Sequence, residues 1–336
     1  MRTVGKILLW VGGTLIALWL CSYRPTPATF VYGTSFSKLH ADELGLDWKE
    51  TYLAILDDLG ARKLRLSAHW DAIEHEQGKY DWSALDFQIQ EAEKRGAEVN
   101  LAVGRRLPGW PECHEPDWFT RLPVADKETH LLDYVNKVVD RYKYSPAIKN
   151  WQIENEAFLT LYAVQNCNND FFSEQTLQKE ISLVKKLDPD SSRKIVVTDS
   201  GEIGLWYKAY RNADIFGTSM YLYVWNHTLG PIRYPIPAAF FRLKLNLVRL
   251  IYGSKPAFVS ELSGEPWLLK PIVDTSIDDQ LTQMNLERFN TIIDFARRTN
   301  FSEQYLWGAE WWYYLKTKYN HPEMWERARE LFHEKK

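Results

Sequence analysis

Apolar positions along this chain alternate between two spacings. Short β-branched and aromatic runs recur, and between them lie longer stretches whose apolar residues repeat every three or four positions. The runs are Phe30–Ser35, Lys63–Ala68, Glu98–Gly104, Lys149–Glu154, Lys194–Thr198, Ile215–Tyr221, Ala257–Ser260 and Gln304–Gly308. Each is short, largely apolar and bounded by polar or turn residues, which predicts eight buried strands. The intervening periodicity predicts helices over Leu85–Lys94, Thr129–Tyr142, Ser173–Leu187 and Asp279–Arg297, with a shorter one over about 203–211. Ser173 followed by Glu174 and Gln175 is a helix start, and Asp188-Pro189 is a stop. Strands and helices alternating eight times predict an α/β fold, a (β/α)8 barrel. The alternative is an open doubly wound sheet, but no glycine-rich nucleotide loop follows the first strand.

Two segments stand outside that repeat. At the N-terminus, Arg2 and Lys6 precede the apolar stretch Ile7–Leu20, and Cys21 to Arg24 follow. This is a positive region and an apolar core of signal-peptide length. It is short for a spanning helix, although Trp10, Trp19 and Tyr23 extend it. The expectation is an uncleaved signal anchor, with a cleaved signal as the alternative. Pro25 to Pro27 form a stiff linker. The expected division is therefore a signal anchor or signal peptide over 1–24, a linker over 25–29 and the barrel over 30–336. The second segment, Pro231–Gly253, carries a basic, strongly apolar helix over Ala238–Ile251. It is either an outer-ring helix packed on the barrel or a membrane-interface helix.

Composition alters this picture only slightly. A chain of 336 residues with 45% hydrophobic content fits one large barrel core. Its net charge of −3 lends no support to a nucleic-acid partner, and a monomer is expected. Aromatic residues are abundant, with 15 Trp, 18 Tyr and 15 Phe. Their flat faces suit the C–H faces of sugars, though they serve equally well in packing. An extracytoplasmic address gives Cys113 and Cys167 a meaning. They follow the third and fourth strands, so their loops would be neighbours on one rim, either joined by a disulfide or left as two thiols. No spacing of His and Cys suggests a metal site, and no cofactor is called for.

Candidate chemistry gathers at the C-terminal strand tips, where barrel enzymes build their sites. The second strand supplies Arg65, with His69 and Trp70 beyond it. The third leads to Arg105, Arg106 and Trp110. The fourth ends in Asn155 and Glu156, with Glu154 one step behind. The sixth ends in Tyr221, followed by Tyr223 and Trp225. The seventh supplies Glu261, then Glu265 and Trp267, and the eighth supplies Trp307, then Glu310, Trp311 and Trp312. Glu156 and Glu261 would then be two facing carboxylates, the pair that glycosidic bond cleavage requires.

Five stretches in order resemble clan A of the glycoside hydrolases, the retaining barrel enzymes that include cellulases, mannanases, β-xylosidases and β-galactosidases. They are RLSAHWDAIEHEQGKYDWSALD at 65–86, WQIENE at 151–156, DIFGTSMY at 214–221, FVSE at 258–261 and YLWGAEWW at 305–312. The resemblance implies a double displacement with retention, Glu156 as acid/base and Glu261 as nucleophile, with carboxyl groups about 5–5.5 Å apart. It makes Arg65 and Tyr221 partners of Glu261 and Asn155 a ligand of the sugar 2-hydroxyl. Trp307 or Trp311 is the candidate sugar platform; Trp110, Trp225 and Trp267 either wall the subsites or pack, and His69 sits on the site rim or serves the structure. The histidine of the cellulase-like branch is absent at Ser219, so the branch is unassigned. Glu265 competes with Glu261 for the nucleophile's place, and Glu154 reads as buried behind the site. The expected substrate is a β-linked oligo- or polysaccharide. A transglycosylase with the same pair is the near alternative, and a non-catalytic, membrane-tethered glycan-binding barrel the distant one.

Overall fold

The computed structural model describes residues 12–14, 20–109, 112–159, 167, 171–226 and 230–334. Most of the apolar Ile7–Leu20 stretch, and Trp110, lie outside the described residues. Among those described, no helix is long and apolar enough to cross a membrane.

Eight parallel strands close into a barrel: β1 (Val31–Ser35), β2 (Lys63–Ser67), β3 (Glu98–Val103), β4 (Ile148–Ile153), β5 (Lys194–Asp199), β6 (Ile215–Met220), β9 (Ala257–Ser263) and β10 (Glu303–Trp307). Around the barrel the order is β1, β10, β9, β6, β5, β4, β3, β2. The other two strands, β7 (Tyr223–Asn226) and β8 (Gly230–Arg233), form an antiparallel hairpin beyond β6 that the apolar pattern did not reveal.

Alternation along each strand sorts the side chains. Leu64, Leu66, Val99, Leu101, Trp151 and Ile153 are buried in the layer between strands and helices. Each such burial stabilises by about 1.5–3 kcal/mol. The opposite parity fills the lumen, where Val196, Phe258 and Tyr305 form a separate buried cluster. Asn100 on β3 donates to the Tyr305 hydroxyl on β10 at 2.8 Å, a bond that spans the lumen because those strands are not neighbours.

The helices follow their capping chemistry. Ser173 accepts the Thr176 amide and starts the helix Glu174–Leu187. The continuous helix expected over Asp279–Arg297 is instead two, Ile277–Gln283 and Leu286–Arg298. Asn285 lies between them, and its side chain accepts the Arg288 amide. The insertion helix Ala238–Tyr252 packs by Ala238, Phe241, Leu245 and Val248, so one face belongs to the outer ring.

Candidate active site

Register shifts bring the seventh barrel strand to its task. Thr218 pairs with Val259, but the next residue, Ser219, pairs with Glu261, so Ser260 is the extra residue of a bulge in β9. The same skip occurs against β10, where Gln304 meets Val259 and Leu306 meets Leu262. In a regular strand Glu261 would share the helix-facing side of Val259. The bulge turns it into the barrel mouth. The expected end of this strand at Ser260 is therefore three residues short, and Glu261 lies within the strand.

Glu261 is buried and held from two sides. Arg65 Nη1 donates to Oε1 at 2.6 Å, and the Tyr221 hydroxyl donates to Oε2 at 2.7 Å. Arg65 is itself fixed, its Nε to Gln152 Oε1 and its Nη2 to Asn155 Oδ1, both at 2.7 Å. Such charge-assisted contacts orient a carboxylate firmly. Burial, followed by the charge of Glu261, pushes the Tyr221 hydroxyl well above its ordinary pKa, so it stays a donor.

Glu156 stands in the opposite setting. It follows β4 after two residues and adopts a left-handed backbone, φ +46°. Its amide donates to Thr198 Oγ1 at 3.0 Å. Its carboxyl Oε1 accepts the Ser219 hydroxyl at 2.6 Å, a neutral donor rather than a cation. Burial, then the neighbouring carboxylates of Glu112 and Glu261, raise its pKa well above the usual range, and the Ser219 bond opposes them. Asn155 Oδ1 takes Arg65 and, at 3.0 Å, the Thr198 hydroxyl, while its Nδ2 is a buried donor without a protein partner.

Glu154 is a support behind this pair. Its φ is +59°, and its oxygens accept the amides of Arg105 at 3.0 Å and Arg106 at 2.7 Å. A Cβ at position 104 would lie 2.5 Å from Glu154 Oε1, which is why glycine stands there. Arg106 Nη1 then returns to the Glu156 carbonyl at 2.9 Å, and its Nη2 pairs with Glu112 at 3.0 Å. Glu180, fully buried beneath Glu154, has its pKa raised well above the usual range by burial and then by Glu154.

Among the remaining candidates, Glu265 does not compete for Arg65. Its carboxylate takes the Trp307 indole N–H at 2.6 Å and faces His40 Nε2 at 2.9 Å. Trp307 is half-buried at the tip of β10, whereas Trp311 is fully buried with its N–H on Gln280 Oε1 at 2.8 Å. Trp311 therefore presents no face to a ligand, because the helix Ala309–Tyr319 turns it into the core. Trp267 is 43% exposed and meets the Tyr221 ring edge-on at 5.2 Å. Trp225 is half-buried on the β7–β8 hairpin. His69 is buried beside His114, with ring centres 4.1 Å apart, and bonds the Pro108 carbonyl. Burial, then His114, depresses its pKa to about 3, so the ring is neutral. Cys113 and Cys167 are joined in a disulfide, with Glu115 beside them, so neither offers a thiolate to a metal.

Sequence reasoning missed Ser219, Thr198, Gln152, Glu112 and Glu180. Strand parity marks Gln152 as a lumen residue, two positions from Asn150 and Glu154. No local signal marks Glu112 or Glu180, since each reaches the site from a loop or an outer helix.

The family described as glycosyl hydrolase family 10 matches residues 64–189. Mannan endo-1,4-beta-mannosidase F of Aspergillus fumigatus is 25% identical over 146 residues, covering 39% of this chain and 31% of its own length. Endo-1,4-beta-xylanase 3 of Hypocrea jecorina is 29% identical over 120 residues, 35% of this chain and 33% of its own. The chain thus spans about a third of these curated relatives. The structure of xylanase 10B from Thermotoga petrophila RKU-1 superimposes with a TM-score of 0.55 at 15% identity, covering 83% of this chain and 81% of that one. That likeness is one of fold.

Proposed function

We propose that this chain, which belongs with the clan A (β/α)8 glycoside hydrolases, is a glycosidase that cleaves β-linked oligo- or polysaccharides with retention. The observation that carries the reading is the contrast between two buried carboxyls at one barrel mouth. Glu261 is ion-paired to Arg65, and Glu156 has a neutral donor and a raised pKa. A carboxylate poised to attack and an acid that keeps its proton are the two parts of a double displacement.

In the first step Glu156 gives its proton to the glycosidic oxygen as the Glu261 carboxylate bonds to the anomeric carbon. The C–O bond to the leaving group breaks, and the products are a glycosyl ester on Glu261 and a free hydroxyl. In the second step Glu156, now ionised, takes a proton from water. The water oxygen bonds to the anomeric carbon, and the Glu261 carboxylate leaves. The buried, unpartnered Nδ2 of Asn155 is a donor for the sugar 2-hydroxyl. Trp307 and Trp267 offer aromatic surface beside the pair, and Trp110 and Trp225 remain candidates for outer subsites. The names of the relatives, a mannan endo-1,4-beta-mannosidase and an endo-1,4-beta-xylanase, support a β-linked polysaccharide. The disulfide supports an extracytoplasmic address, with the N-terminal apolar segment as anchor or signal.

A panel of activated aryl β-glycosides tests the reading. Glu261→Ala is expected to lose turnover by several orders of magnitude, and azide is expected to rescue Glu156→Ala with a β-glycosyl azide as product. Wild-type silence on every glycoside, with retained affinity for a glycan, would favour the binding-barrel alternative. An α-configured azide product would exclude retention.

A further inference from the structure

A cavity of about 610 Å³ lies on the outside of the barrel wall, where residues 22–26 cross between the helices Ala238–Tyr252 and Leu286–Arg298. Its lining includes Phe30 and Asn300, which precede β1 and β10. It reaches the N-terminal ends of these strands and shares none of the residues that hold Glu156 and Glu261. Five arginines line it, namely Arg24, Arg233, Arg242, Arg297 and Arg298, and no aspartate or glutamate does. Glu334 pairs with Arg297 from outside the lining. Arg24 Nη1 is buried without a hydrogen-bond partner. Burial, then the charges of Arg249 and Arg242, lower the pKa of that guanidinium to about 10. The Ala238–Tyr252 helix begins in the lining and brings its positive end there.

An apolar face adjoins this cationic pocket. On the same helix Leu247 and Ile251 are exposed, and Leu250 is 82% exposed. Asn246 Nδ2 donates to the carbonyls of Cys21 at 2.6 Å and Tyr23 at 3.0 Å, and Arg242 Nε donates to the Ser22 carbonyl at 2.9 Å. These bonds fasten the segment with exposed Leu20 and Tyr23 against the helix. The sequence leading into that segment is the apolar run Ile7–Leu20. Arginine forks facing a cavity, with leucines exposed beside it, match a phosphate headgroup and its acyl boundary.

We propose that this pocket binds the phosphate of an anionic membrane lipid, holding the barrel against the bilayer through the Ala238–Tyr252 helix. The site is separate from the glycosidase centre and does not depend on that reading. Calorimetric titration of the full chain in neutral detergent tests it, with dihexanoyl phosphatidylglycerol, dihexanoyl phosphatidylcholine and inorganic phosphate as probes. Phosphatidylglycerol is expected to bind saturably and at least about 10-fold more tightly than either alternative. The side chains of Arg233 and Arg298 form no hydrogen bond or ion pair among the described residues, so Arg233→Gln/Arg298→Gln tests the pocket without removing a polar fold contact. That variant is expected to weaken phosphatidylglycerol roughly 10- to 30-fold at unchanged melting temperature. Arg24→Gln is expected to act in the same direction, and Leu250→Ser to weaken the lipid but not phosphate. Equal binding of phosphatidylcholine, or arginine variants that bind like wild type, overturns the proposal. Inorganic phosphate binding as tightly as the lipid would make this a site for soluble anions and overturn the lipid assignment.

Discussion

Glu156 and Glu261 are chemically the same side chain, and their surroundings set them apart. The difference rests on a few atoms: a guanidinium and a phenol on one carboxyl, a serine hydroxyl on the other. Ser219 offers a direct test, because its bond favours the charged form of Glu156 and opposes burial. Ser219→Ala removes a stabiliser of the anion, so the acid/base pKa rises. The basic limb of the kcat/KM profile is then expected to move to higher pH by about one unit, while the acidic limb stays in place. A serine that only packs would lower activity without moving that limb. The placement of both glutamates and of Asn155, Arg65 and Tyr221 near one barrel mouth was readable from the chain, because each lies at or near a predicted strand tip. Ser219 was readable only as a departure from a family pattern.

At the scale of elements, the end of β4 and the loop after β3 act together. Glu154 takes a left-handed backbone to hold two amides of that loop, and the loop's Arg106 returns to the Glu156 carbonyl. The helix Glu174–Leu187 pushes a second carboxyl, Glu180, against Glu154. A buried acid whose folded pKa is raised costs stability once the unfolded chain ionises. The folded state then holds a proton that the unfolded state has lost, so stability falls as pH rises above about 4.3. Glu180→Gln keeps the shape and donates an N–H to Glu154. It is expected to raise the melting temperature by on the order of 1–3 °C at pH 7, with the gain vanishing near pH 4. Scans at both pH values decide it, and an equal shift at both would point to packing instead. The helix start at Ser173 and the strand cores were legible as periodicity and caps. The break at Asn285 was not, because the apolar spacing runs on across it. The β7–β8 hairpin was hidden because its strands are only four residues each.

Across the whole molecule, the Cys113–Cys167 disulfide closes a span of 54 residues and ties the loop after β3 to the one after β4. Chain entropy assigns such a closure up to about 4 kcal/mol. Cys113→Ser/Cys167→Ser is therefore expected to lower the urea midpoint by a corresponding amount, while the barrel's circular dichroism below the transition stays unchanged. The pair was foreseen because a barrel places consecutive loops side by side, which is a matter of topology. The eight-strand repeat, the closed parallel sheet and the acid-tipped strands are written in local order, since strand period, helix period and turn residues are properties of neighbouring positions. The aim of Glu261 is of another kind. Strand parity alone directs it at the helices with Val259, and the bulge at Ser260 against both β6 and β10 turns it inward. Trp311 likewise follows the turn of its helix into the core rather than facing the mouth. The arginine pocket joins residues 24, 233, 242, 297 and 298 from three distant parts of the chain. Such features arise from pairing register and long-range packing, and no local run of residues encodes either.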